Sequence, residues 1–220
     1  MSLADRQAET RQIISSCGAL LLNDHFVYAS GHHGAGWIAK DRINRDPQHP
    51  FRLGQLLAAA IQEQDLEASI LCGPAIGGVI CAQFTALALG VRCVFAEREG
   101  KGPSSQFVFK RGYSSDLKDA KVVVVDDVVN TGFSLKLTLD AVRAHGGIPI
   151  AAAAWVNRGN VGAVELGVPQ FVFLDEVVLP PMEVADCSLC AAGVPVNTDY
   201  AHGAELFSQQ SALPSAKTGA

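Results

Sequence analysis

No apolar run in this chain approaches the roughly 18 residues of a membrane span. The longest, Ile150 to Val156, has the length of one buried strand. Charge is scarce, at 18% of residues, and neither sign dominates: 17 Lys and Arg stand against 22 Asp and Glu, for a net −5. That balance argues against a general nucleic-acid or membrane-surface binder and leaves room for a local basic loop. No G-x-x-x-x-G-K-[ST] occurs, and no G-x-G-x-x-G follows the first strand, so neither a Walker loop nor a dinucleotide fingerprint is present. The opening MSLADRQAETRQ lacks the apolar stretch of a secretory signal, which leads to the expectation of a cytoplasmic protein without disulfides. Of six cysteines, Cys17, Cys72, Cys81 and Cys93 sit in apolar settings and read as small core residues.

Apolar residues make up 49% of the 220, enough for a large core. Residues 1–24 read as a helix and a turn, with Ile13, Ile14, Cys17, Leu20 and Leu21 at helical spacing. Phe26 to Ala29 and Trp37 to Lys40 suggest a hairpin around SGHHGAG. Helical faces recur at Leu53, Leu56, Leu57, Ala60 and Ile61, through the apolar stretch 78–89, and at Leu135, Leu139 and Val142. Between them lie strand patterns at Ile70 to Cys72, Arg92 to Ala96, Gln106 to Lys110, Val122 to Val125, Ile150 to Val156 and Phe171 to Leu174. Strands alternating with helices predict an α/β fold with an open, mostly parallel sheet flanked by helices. Ligands of such sheets bind at the C-terminal ends of the strands.

KVVVVDDVVNTGFS, residues 121–134, carries the most chemistry. A buried strand runs into Asp126 and Asp127, then into Asn130, Thr131, Gly132, Phe133 and Ser134 at the start of a helix. A helix N-terminus offers unpaired N–H groups and a positive dipole end, the makings of a phosphate site. Carboxylates beside it suit the hydroxyls of a ribose phosphate. The bland alternative is an Asp-rich turn and a capped helix.

VVVVDDVVNTGFS resembles the phosphoribosyl-diphosphate-binding motif of type I phosphoribosyltransferases, with Asn130 and Phe133 where many members have Thr and Gly. ILCGPAIGGVICAQFTALALGVRCVFAERE is similar to the region around the diphosphate loop of the orotate branch. KRGYSSDLKDAKVVVVDD, GALLLNDHFVYASGHHGAGWIAKDRI and AWVNRG resemble its Arg-Gly-aromatic segment, N-terminal hood and base-reading strand end. The resemblance implies the type I phosphoribosyltransferase fold with a small hood. Its boundaries here are 1–50 for the N-terminal helix and hood, 51–207 for the core and 208–220 for a disordered tail. It implies transfer of a 5-phosphoribosyl group from phosphoribosyl diphosphate to orotate, in pyrimidine nucleotide synthesis. Another base, or a non-catalytic phosphoribosyl-diphosphate-binding regulator, remains an alternative.

The same resemblance assigns roles. Asp126 and Asp127 hold the ribose hydroxyls, directly or through water on a Mg²⁺ carried mainly by the ligand. Asn130, Thr131, Gly132, Phe133 and Ser134 hold the 5-phosphate. Ala75, Ile76 and Gly77, in a loop with Gly73 and Gly78, present N–H groups to the diphosphate. Arg98 and Lys101 are the available cations of a mobile loop, 98–105, that closes over the diphosphate; a solvated charged loop is the alternative. Lys40 is a weaker candidate for ligand binding. Arg158 either pairs with a carboxylate on the base or is an exposed strand-end Arg. The implied assembly is a cytoplasmic homodimer with a shared active site, binding neither nucleic acid nor membrane.

Cys187-Ser-Leu-Cys190 is half of a zinc site. No second C-x-x-C exists, and although His202 lies nearby, the sequence shows no fourth ligand. The expectation is a protein without stoichiometric zinc. Of the adjacent His32 and His33, regular strand geometry lets only one face a given site.

Overall fold

The computed structural model describes residues 1–28, 30–100 and 105–204. These form two compact units: Met1–Ala19 with Lys40–Val178, and Leu20–Ala39 with the segment from Leu179 onwards. This division differs from sequence boundaries at 50 and 207. The proposed tail, 208–220, lies outside the described residues.

The larger unit is built on a six-stranded sheet in the order β5-β4-β3-β6-β7-β8. Its strands are β3 (Ile70–Pro74), β4 (Arg92–Glu99), β5 (Gln106–Val108), β6 (Lys121–Val129), β7 (Ile148–Asn157) and β8 (Phe171–Glu176). All neighbours pair in parallel except β4 and β5. Val122 to Val125 and Ala151 to Val156 are fully buried, as valine and alanine runs in a doubly covered sheet should be. The helices are α1 (Leu3–Ser16), α2 (Gln48–Gln62), α3 (Gly77–Leu89), α4 (Ser114–Leu117), α5 (Phe133–Ala144) and α6 (Ala163–Leu166). Leu135, Leu139 and Val142 of α5 pack on Val122, Val124, Ala152 and Ala154, which fixes that helix over the strand carrying the acids.

α1 begins with a capping box: the Asp5 N–H donates to Ser2 Oγ, and Ser2 N–H donates to the Asp5 carboxylate, both at 3.1 Å. It ends at Ser16, so Leu20 and Leu21 belong to the next strand instead of the helix. Its buried residues are Arg6, Thr10 and Ile14. Arg6 meets Glu63, the residue capping the end of α2, at 2.5 Å, and Arg11 grips the fully buried Asp175 of β8 with two bonds of 2.8 and 2.9 Å. Ion pairs dock this helix to the core, and apolar spacing gives little sign of them.

The smaller unit starts with an antiparallel hairpin of β1 (Leu20–Val27) and β2 (His33–Ile38), whose register shifts between Leu22 and Phe26. A bridge between His33 and Met182 brings in the C-terminal segment. Between Leu179 and Tyr200 that segment holds a 3₁₀ turn (Val184–Asp186) and α7 (Ser188–Ala191). His32 faces outward and pairs with Glu183 at 2.8 Å, while His33 is buried. Cys187 and Cys190 lie with His25 and His33, not with His202.

Candidate functional site

Asp126 and Asp127 lie within β6, not beyond it: Asp126 pairs in register with Ala154, and the ladder continues to Val129. Successive strand residues face opposite sides, and the two acids separate accordingly. Asp126, 8% exposed, lines a cavity of about 120 Å³ together with Val128 to Leu135. Asp127 is turned toward the start of α3. Its Oδ1 accepts from Lys40 Nζ at 3.0 Å and from the Val128 N–H at 2.7 Å. Its Oδ2 is buried with no donor. The opening for that oxygen is glycine-made: a Cβ on Gly77 would sit 2.0 Å from Oδ2 and 2.8 Å from Lys40 Nζ.

Burial pushes the Asp126 acid well above the ordinary carboxyl range, and the neighbouring Asp127 pushes it further; Lys40 acts against both. Burial depresses the Lys40 ammonium, but Asp127 and Asp126 outweigh that and hold it above its ordinary value. With both acids ionised, two carboxylates face one ammonium. The site is therefore short of donors and positive charge, which suits hydroxyls and a ligand-borne cation.

The loop after β6 is shaped by two glycines. Gly132 has φ +71°, and a Cβ there would meet Leu166 Cδ2 at 2.8 Å. Gly159 comes so close that a Cβ would lie 1.5 Å from the Asn130 carbonyl oxygen. The first turn of α5 has no side-chain cap on Gly132; Thr131 Oγ1 accepts weakly from Phe133 N–H at 3.4 Å. Phe133, 44% exposed, lies under the Arg98 guanidinium, 5.9 Å from Cζ to the ring centre.

In the loop after β3, the peptide between Ala75 and Ile76 is cis. Gly73 and Gly78 are pressed together, since a Cβ on Gly73 would fall 2.0 Å from the Gly78 carbonyl oxygen. The Ala75 N–H donates to the Ala96 carbonyl at 2.8 Å. This corrects the expectation that Ala75 offers its N–H to a ligand: β4 already takes it. Ile76 is 82% exposed and precedes Gly77, where α3 begins with N–H groups unpaired inside the helix.

The cationic loop is shorter than its sequence suggests. Arg98 is a strand residue, in register with Phe107 across the β4–β5 hairpin, and it donates to Ser105 Oγ at 2.8 Å. Glu99 is occupied by Lys110 at 3.0 Å. Lys101 lies outside the described residues. Arg158 follows β7 directly and is 7% exposed, so it is not an exposed strand-end Arg. Its N–H donates to the Val129 carbonyl at 2.7 Å, tying it to the end of β6. Asn157 closes the adjoining turn through two bonds to the Val161 backbone, of 2.9 and 3.2 Å.

Lys40 was legible only as a minor candidate, and Asn157 and Gly159 only as part of AWVNRG, with no role of their own. Lys40 is 87 residues from Asp127, and no spacing rule joins them. Two larger hollows, of about 440 and 630 Å³, lie against α1, at Ile13 and Arg52 and at Leu3 and Phe173. Neither is lined by the acids or glycine loops, so volume does not select the chemistry here.

The Phosphoribosyl transferase domain model matches residues 40–179. Orotate phosphoribosyltransferase of Carboxydothermus hydrogenoformans is 38% identical over 179 residues, 80% of this chain and 88% of that protein. The Thermotoga maritima protein of the same name is 32% identical over 193 residues, covering 88% of this chain and 98% of its own length. Among solved structures, orotate phosphoribosyltransferase from Aeropyrum pernix superposes with a TM-score of 0.63 at 27% identity, over 75% of this chain and 92% of that one.

Proposed function

The chain belongs to the type I phosphoribosyltransferase family, and from that membership we propose how its site works. It transfers a 5-phosphoribosyl group from phosphoribosyl diphosphate to orotate, giving orotidine 5′-phosphate and diphosphate. The observation that carries the reading is the shared cavity at the end of β6, lined by Asp126 and by the loop from Asn130 to Ser134. A sugar phosphate needs both parts, hydroxyl acceptors and an anion-binding helix start.

In this reaction the ribose ring gains positive charge while the leaving diphosphate gains negative charge. Catalysis then rests on placed charges, without a covalent nucleophile. Asp126 accepts from a ribose hydroxyl in the cavity and faces the developing ring cation. Asp127 holds Lys40 and keeps Oδ2 as a free acceptor near the start of α3. Backbone N–H groups from Ile76 to Gly78 take the diphosphate, and Thr131 to Ser134 take the 5-phosphate. Arg98, over Phe133, adds positive charge beside that loop.

The donor set fits magnesium carried mostly by substrate oxygens and water, since one Asp127 oxygen is committed to Lys40 and few protein ligands remain. When bound, the ion screens the diphosphate's charge. The family resemblance supports a cytoplasmic place in pyrimidine synthesis; the net charge of −5 argues against a general nucleic-acid binder, and among the described residues no helix is long and apolar enough to cross a membrane. The family resemblance supports a homodimer sharing its active sites.

Arg158 is the base-reading residue in this proposal, because orotate has a carboxylate and the end of β7 adjoins the end of β6. Arg158→Ala removes a charge-assisted pair of about 1.5–3 kcal/mol, raising the KM for orotate roughly 10- to 150-fold. The KM for phosphoribosyl diphosphate should move far less. Equal rises in both constants, or a lowered melting temperature with no selective change, would make Arg158 a structural residue.

A further inference from the structure

We propose that His25, His33, Cys187 and Cys190 form a structural zinc site in the smaller unit. All four lie outside the stretch 40–179 matched by the family model, and none belongs to the phosphoribosyl site. Their ligand atoms fall within 4.8 Å of one another. Cys187 Sγ is 3.6 Å from His25 Nε2, Cys190 Sγ is 3.7 Å from the same nitrogen, and Cys190 Sγ is 3.2 Å from His33 Nδ1. Zinc–nitrogen and zinc–sulfur bonds of about 2.0–2.3 Å in a tetrahedron place ligand atoms about 3.3–3.8 Å apart. The two histidine nitrogens lie 2.8 Å apart, closer than two ligands of a tetrahedral zinc, and must open slightly to admit the ion.

The surroundings prepare the ligands. His25 Nδ1 lies 2.8 Å from the Val194 carbonyl, and donation there leaves Nε2 with its lone pair toward the cluster. The Cys190 N–H points at Cys187 Sγ at 3.5 Å, a contact that stabilises a thiolate. His33 is fixed by backbone bonds of 2.9 and 2.8 Å exchanged with Met182. His25, His33 and Cys187 are buried, and the cysteines are not in a disulfide. Binding would release the two thiol protons as both sulfurs become thiolates.

The segment also needs such a staple. Between Leu179 and Tyr200 the chain has only a 3₁₀ turn and a single helical turn. Small units with little regular structure of their own commonly depend on a metal or disulfides. Zinc would fasten Cys187 and Cys190 to both strands of the hairpin, across 162 and 157 residues of sequence. Those separations explain why the sequence shows only half of the site.

The test uses the full chain purified after growth with added zinc. Elemental analysis should find about one zinc per chain, and almost none in the Cys187→Ser, Cys190→Ser double variant. To separate metal loss from loss of fold in that variant, the wild-type protein is also stripped and reloaded with Co²⁺. A tetrahedral cobalt spectrum with thiolate-to-metal charge transfer supports the site. Octahedral cobalt without charge transfer, wild-type protein that takes up neither metal, or zinc retained after both cysteines are replaced would each overturn it.

Discussion

At the scale of single residues, the site sets stability against function. Asp126 holds its proton more tightly in the folded chain than in the unfolded one, because burial and Asp127 disfavour its charge. Its ionisation therefore weakens the fold. Stability falls as pH rises from the ordinary carboxyl range through the raised native value. Asp126→Asn removes that term. The ligand-free variant should melt above wild type at neutral pH, with the gap closing in acid. Its kcat/KM should drop roughly 10²- to 10³-fold, from loss of one charged contact to the sugar. Paired melts across pH and one kinetic series check both; a variant less stable than wild type at neutral pH contradicts the electrostatic reading. The acids were legible as a motif, since a short stretch of sequence carries strand, carboxylates and loop together. The different facing of Asp126 and Asp127 follows from strand periodicity, once β6 is known to run through them to Val129. The sequence reading ended the strand at Val125, because carboxylates look like its end.

At the scale of elements, glycines decide how closely the loops meet. Gly159 lets the turn after β7 rest on the Asn130 carbonyl, and here the obstructing atom belongs to backbone that cannot swing aside. Gly159→Ala should push the 5-phosphate loop out of place. Overpacking of this kind costs about 1–3 kcal/mol or somewhat more. The KM for phosphoribosyl diphosphate should rise while the orotate KM changes less. Denaturant unfolding and steady-state kinetics measure the two effects, and an Ala variant with wild-type values would show that the loops do not need their close approach. Strands and helices of the sheet were readable because burial on both faces leaves runs such as Val122 to Val125. α1 was less so: its docking uses Arg6 and Arg11, and the partners Glu63 and Asp175 are remote in sequence. The loop expected over 98–105 is also shorter, since β4 extends to Glu99 and pairs with β5, a pairing that charged residues disguise. Burial raises the Cys93 thiol to about 11, in keeping with a packing role for that strand residue.

At the scale of the whole molecule, the sequence order hides the division into units. The first 19 residues join the core, and a hairpin inserted after them joins the segment beyond Leu179. A linear boundary at residue 50 cannot express that arrangement, and only pairing between distant segments, such as His33 with Met182, reveals it. Asp126, Lys40, both glycine loops and Arg158 all belong to the larger unit. Transfer of a phosphoribosyl group to orotate is the activity they are to be tested for. The most direct measurement follows orotate absorbance in purified protein with phosphoribosyl diphosphate and magnesium, while diphosphate release is assayed in parallel. The account predicts that orotate is consumed and diphosphate released in equal amounts, and that both stop when either substrate is omitted. No orotate consumption under those conditions, with turnover of a base that lacks a carboxylate or none at all, would contradict it.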